Sequence, residues 1–188
     1  MEITSNGKLN LLLVTSIKGG KKSLAEKTRN LSGRLIKSFG AFCKVNLAAL
    51  AEPHNSSILN EILSEAVTYR INAQNISDCL RKAEKINNDP NVDLVIFEHN
   101  FTLFGGEEGD NFIKMLNLVK KPFFIHFQSL RPNPSTARHE VIQEASRQAI
   151  KIIAHTILQR SILMEIYHVD PRKIILIENK KTHTSHAA

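Results

Sequence analysis

The sequence predicts an α/β protein with a doubly wound, mostly parallel sheet of about seven strands and helices on both faces. Three observations support this fold class. Apolar runs of strand length alternate with amphipathic segments of helix length along the chain. Residues 93–97 are too apolar for a strand with one face in water. Loops rich in glycine or proline follow several of the apolar runs.

The predicted strands are short apolar or β-branched runs bounded by turn residues. In chain order they are 9–15, 42–50, 62–71, 93–97, 122–127, 151–154 and 173–177. Because the connections between them are long enough for helices, right-handed crossovers place every strand-to-helix loop at one edge of the sheet. Ligands of such folds bind at that edge, so the residues that follow the strands are the candidates for function.

The predicted helices carry apolar residues three or four positions apart. In chain order they are 24–39, 77–88, 110–120, 135–149 and 156–167. Gly40 stops the first helix, and Thr156 with Gln159 forms a capping box at the last. Residues that favour the N-cap position precede the other helices; they are Ser77, Asp110 and Ser135.

The composition fits one globular domain. The chain has 188 residues, of which 42% are hydrophobic and 23% charged, so it can bury a core. Its two cysteines, Cys43 and Cys79, lie in apolar runs, which excludes a disulfide scaffold and a cysteine zinc site. No apolar run reaches the roughly 18–20 residues that span a bilayer. We expect one domain over residues 1–178, a polar tail over 179–188, and a cytoplasmic location.

Positive charge is concentrated at the N-terminal end. The net charge is +7, and the first 50 residues carry nine Lys and Arg against two Glu. Such a patch attracts phosphates or an anionic membrane surface, and it is equally typical of a solvated helix face. Nucleic acid is disfavoured as a partner, because no nucleic-acid-binding motif is present and no aromatic residues stand among the lysines. A peripheral site at the inner face of the membrane remains the alternative location.

The loop after the first strand, IKGGKKS, is a candidate anion site. Gly19 and Gly20 would let the backbone approach a ligand, and Lys21 and Lys22 add positive charge at a helix N-terminus. The spacing is not that of a P-loop, because Lys21 stands where glycine is needed. A glycine turn with solvated lysines explains the loop equally well.

The loop after the fourth strand reads EHNFTLFGGEEGD. His99 lies just beyond the apolar run, and Gly105 and Gly106 mark a tight loop before a helix. A long glycine-rich loop at this edge is typical of a functional segment. The alternative is a loop whose apolar residues seal the core.

The fifth strand ends in a second polar segment, IHFQSLRPNP. His126 and Gln128 lie two residues apart and so share one side of the strand, and Arg131 follows on the loop. If the fourth and fifth strands are neighbours, His99, His126 and Gln128 would line one cleft, where a neutral imidazole acts as base or donor. Buried structural histidines are the alternative. No metal site and no cofactor are predicted.

These segments resemble the N-terminal half of bacterial family 4 glycosyltransferases of the GT-B fold, the retaining mannosyl- and glucosyltransferase type. The family pattern QHEFGLFGG is similar to EHNFTLFGG at 98–106. A KPV strand with T-x-HTV and Pro-x-Pro is similar to KPFFIHFQSLRPNP at 121–134, and YGVDPxKIxVIPHG is similar to YHVDPRKIILIENK at 167–180. The loop IKGGKKSLA at 17–25 matches the family's PPRxCGIA by position.

The resemblance implies a fold of two Rossmann-like domains, of which this chain supplies the acceptor-side one and lacks the donor-binding one, a further ~150 residues. It implies a nucleotide-sugar donor and a sugar or lipid-linked acceptor as partners. It also implies that His99, His126 and Gln128 face the reacting sugar. Donor or substrate contacts are implied for Gly19, Gly20, Lys21, Lys22, Asn100, Gly105, Gly106 and Arg131.

The chain departs from the family pattern at polar site positions. The histidine of HTV falls on Gln128, and the acidic residue after the first histidine becomes Asn100. We therefore expect the isolated chain to be inactive as a hexosyltransferase. One alternative is a non-catalytic binding or interaction module that can form a homo-oligomer. Another is a nucleotide or phosphate enzyme that uses the KGGKKS loop.

Overall fold

The computed structural model describes residues 8–16, 43–51 and 67–177. The predicted helix 24–39, the first half of the predicted strand 62–71 and the tail 179–188 lie outside these ranges, as does the loop with Gly19, Gly20, Lys21 and Lys22.

The strands of the described residues are β1 (Leu9–Ser16), β2 (Cys43–Ala51), β3 (Val67–Asn72), β4 (Leu94–His99), β5 (Phe123–Phe127), β6 (Lys151–Ala154) and β7 (Ile174–Leu176). The α-helices are α1 (Ile76–Asn88), α2 (Asn111–Leu116), α3 (Thr136–Gln148) and α4 (Ile157–Glu165). Short 3-10 turns form at Glu107–Gly109 and Pro171–Lys173. None of the helices in this part of the chain is long and apolar enough to cross a membrane.

All seven strands form one parallel sheet in the order β3-β2-β1-β4-β5-β6-β7. The predicted α/β class with a parallel, Rossmann-like sheet is confirmed. The order reverses between β1 and β4, and ligands of open α/β sheets bind at such a switch point, outside the carboxyl ends of the strands.

Strand alternation divides the core between the two faces of the sheet. On one face Leu12, Val95 and Phe97 belong to a large cluster that also holds the apolar stripes of α1 to α4. On the other face Leu11 and Ile96 belong to a smaller cluster with no residue from these four helices. We call these the helix-covered face and the opposite face.

Most of the predicted boundaries hold to within one or two residues. Ser135 and Thr156 are N-caps whose hydroxyls accept from the backbone N–H groups of Arg138 and Gln159. The N-cap of α1 is Asn75 rather than Ser77. For α2 the predicted N-cap position, Asp110, is confirmed, but its side chain makes no capping hydrogen bond and pairs with Lys114 instead. The predicted end at residue 120 was wrong, because the helix ends at Leu116.

Candidate functional site

The carboxyl edge of the sheet holds a row of polar side chains on the opposite face. Thr15, Glu98 and His126 each lie two residues beyond an apolar residue of that face, which are Leu13, Ile96 and Phe124. The strands are in register here, with Glu98 beside His126. We call Thr15, Glu98, His126 and His155 the edge cluster.

Glu98 is the centre of the edge cluster. The hydroxyl of Thr15 donates a hydrogen bond to its Oε2, and Nδ1 of His126 lies 3.5 Å from its Oε1. Burial favours protonation of this carboxyl, but the nearby imidazole of His126, the hydroxyl of Thr15 and the imidazole of His155 outweigh it and lower the pKa of Glu98. Glu98 is therefore an ionised carboxylate at neutral pH, although its side chain is only 12% exposed.

The imidazoles of His126 and His155 pack against each other with ring centroids 4.2 Å apart. His155 is anchored by the strand after it, since its Nδ1 lies 3.1 Å from the carbonyl oxygen of Ile177. Its backbone N–H donates to the side chain of Gln159 at 2.7 Å. His126 is buried, and neither of its ring nitrogens has a hydrogen-bond partner among the described residues.

Asn100 and Gln128 form an amide pair where β4 and β5 end. Nδ2 of Asn100 donates to Oε1 of Gln128 at 3.3 Å, and the backbone N–H of Gln128 donates to the carbonyl of His99 at 3.0 Å. Oδ1 of Asn100 accepts from both the backbone and the hydroxyl of Thr102. Both amide side chains are half-buried, so they lie at the rim of the sheet edge.

His99 does not share this site, and the predicted grouping of His99 with His126 and Gln128 in one cleft is corrected. His99 points to the helix-covered face, where it is completely buried among the rings of Phe101, Phe104, Phe112 and Phe127. Neither ring nitrogen has a partner in the described part of the chain. Burial, assisted by the positive charge of Arg138, lowers its pKa to about 3, so this imidazole is neutral.

The glycine pair of the loop after β4 serves local packing. A Cβ on Gly105 would lie 2.7 Å from Nδ2 of Asn111 and 2.9 Å from the carbonyl oxygen of Gln74. Gly106 has φ +87°, and a Cβ there would overlap the carboxylate of Asp110. The loop is also bonded to the turn before α1, since the N–H of Gly105 donates to Ala73 at 3.0 Å. Their predicted contact with a donor remains a prediction.

Arg131 follows the site on the loop after β5. The Tyr167 hydroxyl donates to its carbonyl at 3.0 Å, which fixes the loop backbone, while its side chain is exposed. The nearby Arg138 is a different case: its guanidinium stacks 4.2 Å over the ring of Phe101 and donates twice to Glu108. These contacts tie the glycine-rich loop to the first turn of α3.

Thr15, Glu98 and His155 were not among the site residues predicted from the sequence. A signal for them exists, because each continues the two-residue alternation of an apolar strand face with a polar side chain at the strand's end. No group of three or more His, Cys, Asp and Glu side chains that could hold a metal ion occurs within residues 8–16, 43–51 and 67–177.

Comparison with known proteins gives structural relatives only. No protein-family model matches the sequence, and no curated protein matches it. A Listeria monocytogenes protein assigned as a UDP-N-acetylglucosamine 2-epimerase superposes with a TM-score of 0.59 at 14% identity, over 90% of this chain and 45% of that one. A glycosyltransferase from Rickettsia africae gives 0.57 at 17%, over 92% and 43%, and S. aureus MnaA with UDP gives 0.58 at 13%, over 89% and 44%.

At these identities the likeness establishes the fold alone. The two-domain, GT-B-like architecture of nucleotide-sugar enzymes contains a sheet of this kind, and the chain spans less than half the length of each of the three relatives. The chain is therefore similar to one Rossmann-like half of such a protein.

Proposed function

We propose that this chain is the acceptor-side half of a nucleotide-sugar-dependent glycosyltransferase of the GT-B type, of the family 4 kind, and that it acts with a second Rossmann-like domain that binds the donor. A cytoplasmic location, with the lysine-rich N-terminal segment against the inner membrane face for a lipid-linked acceptor, belongs to the same proposal.

The edge cluster is the observation that carries this proposal. On the opposite face, β1, β4 and β5 are apolar up to their last positions, where Thr15, Glu98 and His126 stand instead. This change occurs at the switch point of the sheet, which is where ligands of doubly wound folds bind. If these polar side chains served only stability, apolar residues of similar size would stabilise the same buried positions as well or better.

The structural relatives support the class of ligand. The L. monocytogenes relative is named a UDP-N-acetylglucosamine 2-epimerase, the R. africae relative is named a glycosyltransferase, and S. aureus MnaA was solved with UDP. In an arrangement of two facing domains, the carboxyl edge of this sheet would form one wall of the cleft between them, which is a common place for a small-molecule site.

Different parts of this wall would contact the sugar and the phosphates. The amides of Asn100 and Gln128 lie at the rim, where an amide can both donate to and accept from a sugar hydroxyl. The phosphates of a nucleotide would be held by the loop with Gly19, Gly20, Lys21 and Lys22 and by the second domain, because Glu98 makes the centre of this wall negative. Gly105, Gly106 and Arg131 would border the same space.

The experiment is to purify the protein from its own cells with whatever binds it, and to screen UDP- and GDP-sugars for release of the free nucleoside diphosphate. We expect a complex of about twice this chain's mass, containing a second Rossmann-like domain or subunit, that turns over one donor. The chain alone should release none. A complex with a second half that turns over no nucleotide-sugar would contradict the proposal.

A matched pair of variants localises the activity. Gln128→Ala should lower turnover of the complex, because it removes an amide from the wall of the cleft. Glu165→Gln, an exposed change at the end of α4, should leave turnover unchanged. Equal turnover by both variants would place the reaction elsewhere.

A second candidate function is a non-catalytic interaction module on the same fold. Ile157 and Leu158 favour it, since these neighbouring aliphatic side chains at the start of α4 are 66% and 69% exposed and follow β6 at the same carboxyl edge. A chain that purifies as a stable homo-oligomer, loses that state in Leu158→Ser and binds no nucleotide-sugar would favour this function over the first.

A further inference from the structure

The edge cluster has more hydrogen-bonding capacity than the described residues use. An ionised carboxylate accepts up to about four hydrogen bonds, and within the described ranges Glu98 receives one, from the hydroxyl of Thr15. The 3.5 Å between Nδ1 of His126 and Oε1 of Glu98 is longer than a good hydrogen bond. The side chains of Glu98 and His126 are only 12% and 9% exposed, so bulk water reaches little of either.

The residues directly below the edge cluster on the same strands supply no further hydrogen-bond partner. Leu13, Ile96 and Phe124 lie one alternation step below Thr15, Glu98 and His126, and their side chains have no polar atoms. Buried polar groups are satisfied in nearly all native structures, so each exception calls for an explanation, such as a catalytic role or a bound water or ion. A cluster left open in this way, at the switch point of the sheet, indicates a ligand that carries its own hydrogen bonds.

We propose that the Glu98 carboxylate accepts a hydrogen bond from a hydroxyl group of a sugar ring, which then lies beside the imidazole of His126. This site deepens the function proposed above, on which it rests, by naming the side chains that hold the acceptor sugar. Thr15 and His155 are positioning residues, because Thr15 fixes the carboxylate and the ring of His155 packs against that of His126.

The charge of Glu98 selects a hydroxyl over a phosphate. Because the pKa of Glu98 lies below its usual value, the carboxylate is ionised at neutral pH and repels an anion. A hydroxyl carries a donor for the carboxylate and no charge, so it matches Glu98 where an anion does not. The amides of Asn100 and Gln128 lie two residues farther along the same strands, at the rim, where they meet the next hydroxyl of the ring.

The test follows the ring nitrogens of His126 by NMR in the full chain labelled with 15N-histidine. The probes are the methyl glycosides of glucose, mannose and N-acetylglucosamine, and inorganic phosphate as a separate probe. We expect at least one glycoside to shift the His126 ring signals and phosphate to leave them in place. Glu98→Gln should weaken the glycoside about tenfold or more, because a hydrogen bond to a charged group is lost.

Two further variants keep the result interpretable. Glu165→Gln makes the same chemical change on an exposed surface and should leave glycoside affinity as in the wild type. If Glu98→Gln fails to fold, His126→Gln replaces it, with glycoside binding then followed by the shifts of the sugar protons. A folded Glu98→Gln that binds the glycoside as tightly as the wild type would overturn the inference.

The inference and the proposed function fail in different ways. If no glycoside moves the His126 signals, or phosphate alone moves them, the inference is wrong, whether or not the complex turns over a nucleotide-sugar. If a glycoside binds at His126 but no complex with a second half turns over a nucleotide-sugar, the sugar site stands and the glycosyltransferase proposal falls.

Discussion

His99 and His126 come from the ends of neighbouring strands, yet they have opposite surroundings. His99 lies on the helix-covered face inside a closed set of four phenylalanine rings, and His126 lies on the opposite face beside a carboxylate and a second imidazole. The register pairs His99 with Phe127 and His126 with Glu98. One position along a strand therefore separates a core imidazole from a candidate ligand group.

Burial alone does not identify a functional histidine. Both imidazoles are buried, and both have ring nitrogens without partners among the described residues. Only His126 has charged and polar neighbours that a ligand could complete. His99 is closed off by aromatic rings, so we expect it to act on stability, and the edge cluster to act on binding.

The largest expected effect is the loss of the ring of His99. His99→Ala would leave a cavity among four phenylalanine rings and cost about 3–4 kcal/mol of unfolding free energy, as aromatic-to-alanine changes in cores do. His99→Phe keeps a ring and removes two unpartnered nitrogens, so it should be as stable as the wild type or more so. Chemical denaturation of the two variants measures this, and a His99→Phe variant that is as unstable as His99→Ala would show a polar role for the imidazole.

The next largest loss of stability is expected from breaking the ion pair between Glu108 and Arg138. Glu108→Gln would remove the ionic partner of Arg138, whose side chain is 7% exposed, and should cost about 2–3 kcal/mol. Glu144→Gln breaks a bidentate pair with Arg147 that is largely exposed, and it should change stability little. Equal urea midpoints for the two variants would mean that the loop after β4 does not depend on the Arg138 pair.

Acidification should reduce the stability contributions of His99 and Glu98, on the two faces of the sheet, in different pH ranges. His99 has a folded-state pKa of about 3, below its unfolded value, so the unfolded chain binds its proton first and stability falls as pH drops below about 6.5. At pH 5 this loss is about 2 kcal/mol. Glu98, whose pKa is also lowered, contributes stability above its unfolded value of about 4.3 that is lost only below that pH.

Unfolding free energies of the wild type and His99→Phe between pH 7 and pH 5 measure the His99 part of that loss. The unfolding free energy of the variant should change less with pH than that of the wild type. Both proteins should lose further stability below about pH 4.3, as carboxylates such as Glu98 become protonated. Parallel curves over pH 7 to 5 would mean that His99 is hydrated and titrates as in the unfolded chain.

The fold was predictable from the sequence because its signals are local. Apolar runs located the strands of the sheet, with β6 matched to the residue, and hydroxyl residues located the caps of α3 and α4. The early end of α2 was not predictable, since it depends on a distant contact: the side chain of Asn87 in α1 binds the backbone of Leu118 and Lys120 at 2.7 Å each.

The site was predictable only in part, because alternation within one strand does not say which side chain of the next strand lies beside it. His126 and Gln128 were found from their place at a strand end. Their pairing with Glu98 and Asn100, instead of with His99, depends on the register between β4 and β5, which no local pattern specifies.

The smallest change in stability is expected when Glu98 and His126 are replaced together. Glu98→Leu with His126→Phe replaces the buried carboxylate and imidazole by apolar side chains of similar size over an apolar floor, and such replacements are neutral or stabilising by about 1 kcal/mol or more. Either change alone strands the other partner and should destabilise. The double variant should therefore fold as well as the wild type while losing every glycoside response. Denaturation and glycoside titration of the same sample measure both, and a double variant that unfolds early would show that the edge cluster is part of the scaffold, as the surroundings of His99 are.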